Sequence, residues 1–204
     1  MGERKEGIMR REKIFVPLIL ILALLVGGCY TEGEIYITPS PEETVDLWAA
    51  PSGDGYLYLA DHTVVQGDGV YVEEGYTEGY LSFSITSIPS WAWIKEAVLF
   101  LGVSAVYPDY SSVALDIERV EFPLPLDPSD YYSPSWGGWT VRIYPADEGN
   151  YVALDVTDLV RDAFLGGRPT FQVRLNASGG AVDLEDGEGS LGGSLVPFLE
   201  VTYY

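Results

Sequence analysis

The chain has 204 residues, of which 11 are basic and 31 acidic, for a net charge of −20 at pH 7, with a single cysteine and a single histidine. Such acidity repels phosphate backbones and excludes nucleic acid as a partner. One cysteine excludes a disulfide framework, and one histidine excludes both a histidine-rich zinc site and a second imidazole to back up the first.

The first segment reads as an export signal. A basic patch, Arg10, Arg11 and Lys13, precedes an apolar run from Ile14 to Val26, and small residues Gly27 and Gly28 follow. That is the order of a secretory signal peptide. A membrane-spanning helix needs about 20 apolar residues, and this run of 13 contains Pro17. Lys13 stands where a twin-arginine signal has an apolar residue, and Met9 offers an alternative start. Val26-Gly27-Gly28-Cys29 resembles the lipobox of prokaryotic lipoproteins. The resemblance implies a signal peptide over residues 1–28, cleavage before Cys29, and lipid on the Cys29 sulfur. The expected location is then extracytoplasmic and membrane-anchored at the cell surface.

Without residues 1–28 the chain keeps 6 basic against 28 acidic residues, a net of −22. Anionic headgroups repel that surface, so attachment must come from the lipid. Residues 29–45 read as a tether, with Thr38-Pro39-Ser40-Pro41-Glu42-Glu43-Thr44 as an extended spacer. The remaining 46–204 suffice for one domain with its own core.

From Val45 onward, short apolar or alternating runs are broken by Gly, Pro, Asp and Ser, which predicts an all-β domain. Strands are expected near 45–50, 55–60, 69–74, 79–86, 95–105, 112–121, 139–144, 150–155, 170–175, 180–184 and 196–203. Leu81, Phe83 and Ile85 share one face, with Tyr80, Ser82 and Ser84 on the other. Ala97, Leu99, Leu101 and Val103 share a face while Val98 and Phe100 make the opposite one apolar, so this strand should be central and covered on both sides. Trp91 and Trp93, two apart, are read as core packing. One helix is expected over 158–165, capped by Thr157, stopped by Gly166-Gly167, and docked through Val156, Leu159, Val160 and Phe164. Asn176-Ala177-Ser178 is a glycosylation triplet expected in a loop.

Three blocks carry a further likeness. Tyr80-Leu81-Ser82-Phe83-Ser84-Ile85-Thr86-Ser87-Ile88-Pro89, followed by Ile94 and Ala97-Val98-Leu99-Phe100-Leu101, is similar to the "LRFDLSSIP…ATITSATLRL" opening of the DNRLRE-type β-sandwich module. Leu154-Asp155-Val156-Thr157-Asp158-Leu159-Val160 with Gly166-Gly167 resembles its "DVTDLVQ…NG" helix. Pro197-Phe198-Leu199-Glu200-Val201-Thr202-Tyr203 resembles its "P.LEVTY" close. The resemblance implies a jelly-roll-like antiparallel β-sandwich, an extracellular module of the carbohydrate-binding kind. Two positions depart from the pattern: Ser84 replaces an aspartate, and Asp183-Leu184-Glu185-Asp186 stands where the family has Ser-Arg-Glu.

Among candidate sites, His62 follows Asp61 in an expected turn and reads as a solvated loop histidine rather than a catalytic base. No catalytic set is assigned, and the chain is expected not to be an enzyme. The long loop 123–138, with Trp139 directly after it, gathers Tyr131, Tyr132, Trp136 and Trp139, whose rings either stack on sugars or anchor the loop. Asp183, Glu185, Asp186 and Glu188 are the densest carboxylates. They read as a solvated glycine-rich loop, with a calcium site as the alternative. The function these readings favour is non-catalytic binding of cell-surface or extracellular polysaccharide. The alternative is a structural envelope or surface-layer protein with protein partners.

Overall fold

A computed structural model describes residues 41–189 and 194–204. The expected signal peptide, Cys29 and most of the expected tether lie outside the described residues. Among those described, no helix is long and apolar enough to cross a membrane.

The domain is a jelly-roll-like sandwich of two antiparallel six-stranded sheets with one short helix. The strands are β1 (Glu43–Trp48), β2 (Gly55–Tyr58), β3 (Val64–Val65), β4 (Val70–Glu73), β5 (Thr77–Ser84), β6 (Ile94–Pro108), β7 (Val113–Val120), β8 (Gly138–Ile143), β9 (Asn150–Asp155), β10 (Thr170–Ser178), β11 (Gly180–Leu184) and β12 (Phe198–Tyr203), with helix α1 at Thr157–Leu165. The first sheet is ordered β1-β12-β6-β11-β4 with β9 also on β6; the second is β3-β2-β5-β10-β7-β8. Only β2–β3, β7–β8 and β11–β12 are successive strands of the same sheet; at every other step the chain crosses to the opposite layer.

β6 is the organising strand. One edge carries β9, and the other carries β12 and β11 end to end. Its face of Ala97, Leu99, Leu101 and Val103 is fully buried against the second sheet. The opposite face is only half covered. There Phe100 stacks on Phe198 at 4.5 Å, and Tyr151 meets both edge-on. The expectation of cover on both sides is therefore corrected: an aromatic cluster, not a third layer, shields the outside.

The second sheet contributes Leu81, Phe83, Leu115, Ile117, Phe171, Val173 and Leu175 to the same core. Each such side chain stabilises the fold by roughly 1.5–3 kcal/mol when fully buried. The outward residues Tyr80 and Ser82 are buried too. Residues 121–137 fold back across this face, making a second cluster of Leu57, Tyr80, Val120, Phe122 and Leu126. Gln172 pins that crossing, because its amide donates to the Phe122 carbonyl and accepts from the Phe122 N–H, both at 3.0 Å.

Helix α1 closes one end of the sandwich. Val156, Leu159, Val160 and Ala163 are buried, whereas Phe164 is only half-buried. Thr157 does not cap the helix; Val156 holds that position. The Thr157 hydroxyl instead donates to Asp155 at 2.6 Å and accepts the Ala97 N–H at 2.9 Å, stitching the helix to β6. Asn176 lies inside β10, opposite Asp116, so the glycosylation triplet is in a strand rather than a loop.

Candidate functional site

The four candidate aromatics separate into three places. Tyr131 and Tyr132 end a short 3-10 turn, Pro128–Tyr132, which the Asp127 and Asp130 carboxylates cap reciprocally. Tyr131 packs partly into the second cluster, while Tyr132 is 72% exposed. His62 stacks on Tyr131 at 4.1 Å and meets Tyr132 edge-on at 5.4 Å. The histidine is thus half-buried on a ring, not freely solvated. It adopts a left-handed backbone, φ 57°, in the turn after β2.

Beneath this turn, Arg174 donates to Glu118 at 2.6 and 3.0 Å and to the carbonyls of Tyr131 and Ser133 at 3.1 and 3.4 Å. Burial works against the Arg174 charge, but Glu118 and nearby Glu78 together outweigh it and raise the Arg174 pKa. On Glu78, burial raises the pKa above the usual carboxylate range. These bonds anchor the loop to the sheet, so Tyr131 is a packing residue.

Trp136 stands elsewhere. Its backbone N–H donates to the Arg119 carbonyl at 2.8 Å, and the Arg119 guanidinium lies 6.0 Å from its ring centre. Arg119 is buried and paired with Glu121 at 2.8 Å and Asp162 of α1 at 3.5 Å.

Trp139, the second residue of β8, lies opposite Ile117 on the inward face of an edge strand. Instead of entering the core, it stops at the open rim of the sandwich, 44% exposed. It walls a groove of about 660 Å³ between β8, β9, the start of β6 and α1. Lys95, Arg161, Asp155, Asp158, Glu96 and Thr140 supply the polar walls, with Leu154 at the base. The Arg161 side chain is fixed by donation to the carbonyls of Ile94 at 2.9 Å and Lys95 at 2.8 Å, and it pairs with Asp158 at 3.3 Å. The Thr157 hydroxyl and N–H hold Asp155 below the usual carboxylate range. Asp155 is therefore an ionised acceptor near neutral pH. Chemically, this is a rigid indole face beside fixed donors and acceptors. The sequence singled out Trp139 but missed Lys95, Asp155 and Arg161. They come from three elements, and no local pattern joins them.

The acidic candidates do not converge. Asp183 sits on β11 and accepts from the Tyr107 hydroxyl; burial raises its pKa, against that bond. Glu185 and Asp186 are buried, not solvated as expected. Glu185 accepts from the Ser104 hydroxyl at 3.0 Å, and Asp186 accepts the Glu188 N–H at 3.0 Å. Glu188 is exposed. Among the described residues, no group of three or more His, Cys, Asp or Glu is placed to hold a metal ion.

Trp91 and Trp93 are corrected as well. They lie in the turn before β6 and are 69% and 58% exposed, not core. Comparison of the chain with family models and with curated protein sequences finds no match in either.

Proposed function

We propose that the protein is a lipid-anchored, extracytoplasmic sandwich module that binds polysaccharide without catalysis, through the Trp139 groove. The observation that carries this reading is the exposed Trp139 face set beside the fixed side chains of Arg161 and Asp155. A pyranose offers an apolar C–H face for the indole and a ring of hydroxyls for charged donors and acceptors. The groove volume of about 660 Å³ falls in the range of small-ligand sites, roughly 300–1,000 Å³. The DNRLRE-type likeness points the same way, and the signal-peptide order read in residues 1–28 is consistent with a location where such polymers occur.

The test is retention of the protein by a panel of soluble polysaccharides in affinity electrophoresis. Trp139→Ala is expected to weaken retention by about 1–2 kcal/mol, the scale on which an anchoring aromatic matters, and to leave the melting temperature within a few degrees. Tyr132→Ala is expected to change neither. Loss of retention in Tyr132→Ala alone would move the site to the His62–Tyr131–Tyr132 cluster.

The anchor has its own test. Cys29→Ser is expected to release the protein from the membrane fraction or leave it unprocessed. A mutant that stays membrane-bound at the mature mass would make the apolar run the anchor. The alternative role, an envelope protein with protein partners, would need an exposed apolar patch. The patch around Trp91 and Trp93 is the feature that favours it.

A further inference from the structure

The exposed apolar residues at one end of the sandwich are unusual in kind and in place. Trp91 is 69% exposed, Trp93 58% and Leu165 76%. Phe164, Leu165, Ala92 and Trp93 line one shallow depression, so the turn before β6 and the last turn of α1 form a continuous surface. Tyr204 joins it: its N–H donates to the Trp93 carbonyl at 3.2 Å, and the Trp93 N–H donates back at 2.9 Å.

The same end receives the chain from its N-terminal side. Glu43 of β1 pairs with Tyr203 of β12, and Glu42 bonds Lys95 at 2.9 Å. Trp93 therefore lies two strand spacings from the start of β1, about 10 Å. Between Cys29 and Glu43 there are 13 residues, which span at most about 50 Å when fully extended. Short links of this kind give effective concentrations in the millimolar range. A surface with only millimolar affinity for the bilayer would thus be seated for much of the time. The opposite end lies the length of β6 away, 15 residues or roughly 50 Å.

We propose that Trp91, Trp93 and Leu165 form a foot that rests in the interfacial layer of the membrane to which Cys29 is anchored. The inference rests on the reading of Cys29 as lipidated. Tryptophan suits this layer because its ring is apolar and its N–H is polar. The cations beside it are already held: the Arg161 guanidinium, 6.0 Å from the Trp93 ring centre, donates to the Ile94 and Lys95 carbonyls, and Lys95 reaches Glu42 at 2.9 Å. Glu42 pairs with Lys95 and Asp158 with Arg161, so the contact is apolar and should not require anionic lipid.

The test uses the full mature chain with lipid on Cys29, verified by mass, in phosphatidylcholine vesicles with brominated acyl chains. Tryptophan fluorescence is expected to be quenched relative to unbrominated vesicles, and Trp91→Phe with Trp93→Phe is expected to lose most of that quenching at unchanged melting temperature. Lipid on Cys29 and co-sedimentation with vesicles, without quenching, would overturn the foot and leave the anchor standing. Quenching that persists in the double variant would overturn it also, as would a protein partner cross-linked to Trp91 or Trp93 in cells without lipid quenching. A mass showing no lipid on Cys29 would remove the anchor and the foot together.

Discussion

Gly102→Val is expected to destabilise the domain by about 3 kcal/mol or more, at the top of the range for overpacking, because backbone rather than a side chain must move. Gly102 lies in the middle of β6 on its outward side. There the segment leading into β12 passes close enough that an added Cβ would overlap the Leu195 carbonyl oxygen and stand 2.6 Å from the Leu195 Cβ. This is where β11 ends and β12 begins on the same edge of β6. The Glu185 N–H also donates to the Gly102 carbonyl at 3.0 Å. Urea denaturation reads the effect directly. Gly75→Asn is the control: Gly75 has φ 73° with open space around it, and asparagine tolerates that backbone at modest cost. Equal losses for the two would mean that the close approach at Gly102 has no energetic weight.

The second large effect concerns pH. Asp54 is almost fully buried, and burial raises its pKa from 3.8 to about 8, with the neighbouring Asp186 adding to the shift. The N–H groups of Ser82 and Gly187, each 3.0 Å from a carboxylate oxygen, oppose it. The folded state therefore holds a proton that the unfolded chain releases above about pH 4, and stability falls as pH rises through the window from about 4 to 8. A domain at pH 5 is expected to exceed its stability at pH 8 by roughly 2–4 kcal/mol, since one pH unit within the window is worth about 1.4 kcal/mol. Asp61, Asp127 and Asp155 act in the opposite sense. Hydrogen bonds lower their pKa values, so their stabilisation is lost on acidification below the ordinary carboxylate range. Asp54→Asn should flatten the profile between pH 5 and 8. A stability that rises with pH across that window would show that the two N–H donors outweigh burial and that Asp54 is ionised.

The strand pattern was legible because alternation and turn residues are local signals. Each expected strand has a counterpart, and only Val64–Val65 escaped, being two residues long. What the sequence hid was cover. Tyr80 and Ser82 alternate as an outward face should, yet residues 121–137 lie over them, held by Gln172 on Phe122 and by the Ser52 carbonyl on the Leu126 N–H across long separations. Trp91 and Trp93 have strand-like spacing but precede the strand. Glu185 and Asp186 look like solvated charge in a glycine-rich run, and their burial depends on Ser104 and Gly69, far away in sequence. The groove was hidden for the same reason: Trp139 is visible as an aromatic, but its setting beside Arg161 and Asp155 is made only by the meeting of β8, β9 and α1.

The most direct test of the proposed groove is a titration of residues 29–204 with the polysaccharide that retains them best, followed through the indole N–H resonances of the 5 tryptophans. The groove at Trp139 predicts that the Trp139 signal moves saturably, Trp91 and Trp48 stay fixed, and Arg161→Ala weakens the response. Saturable binding that shifts other indoles while Trp139 remains still would contradict it.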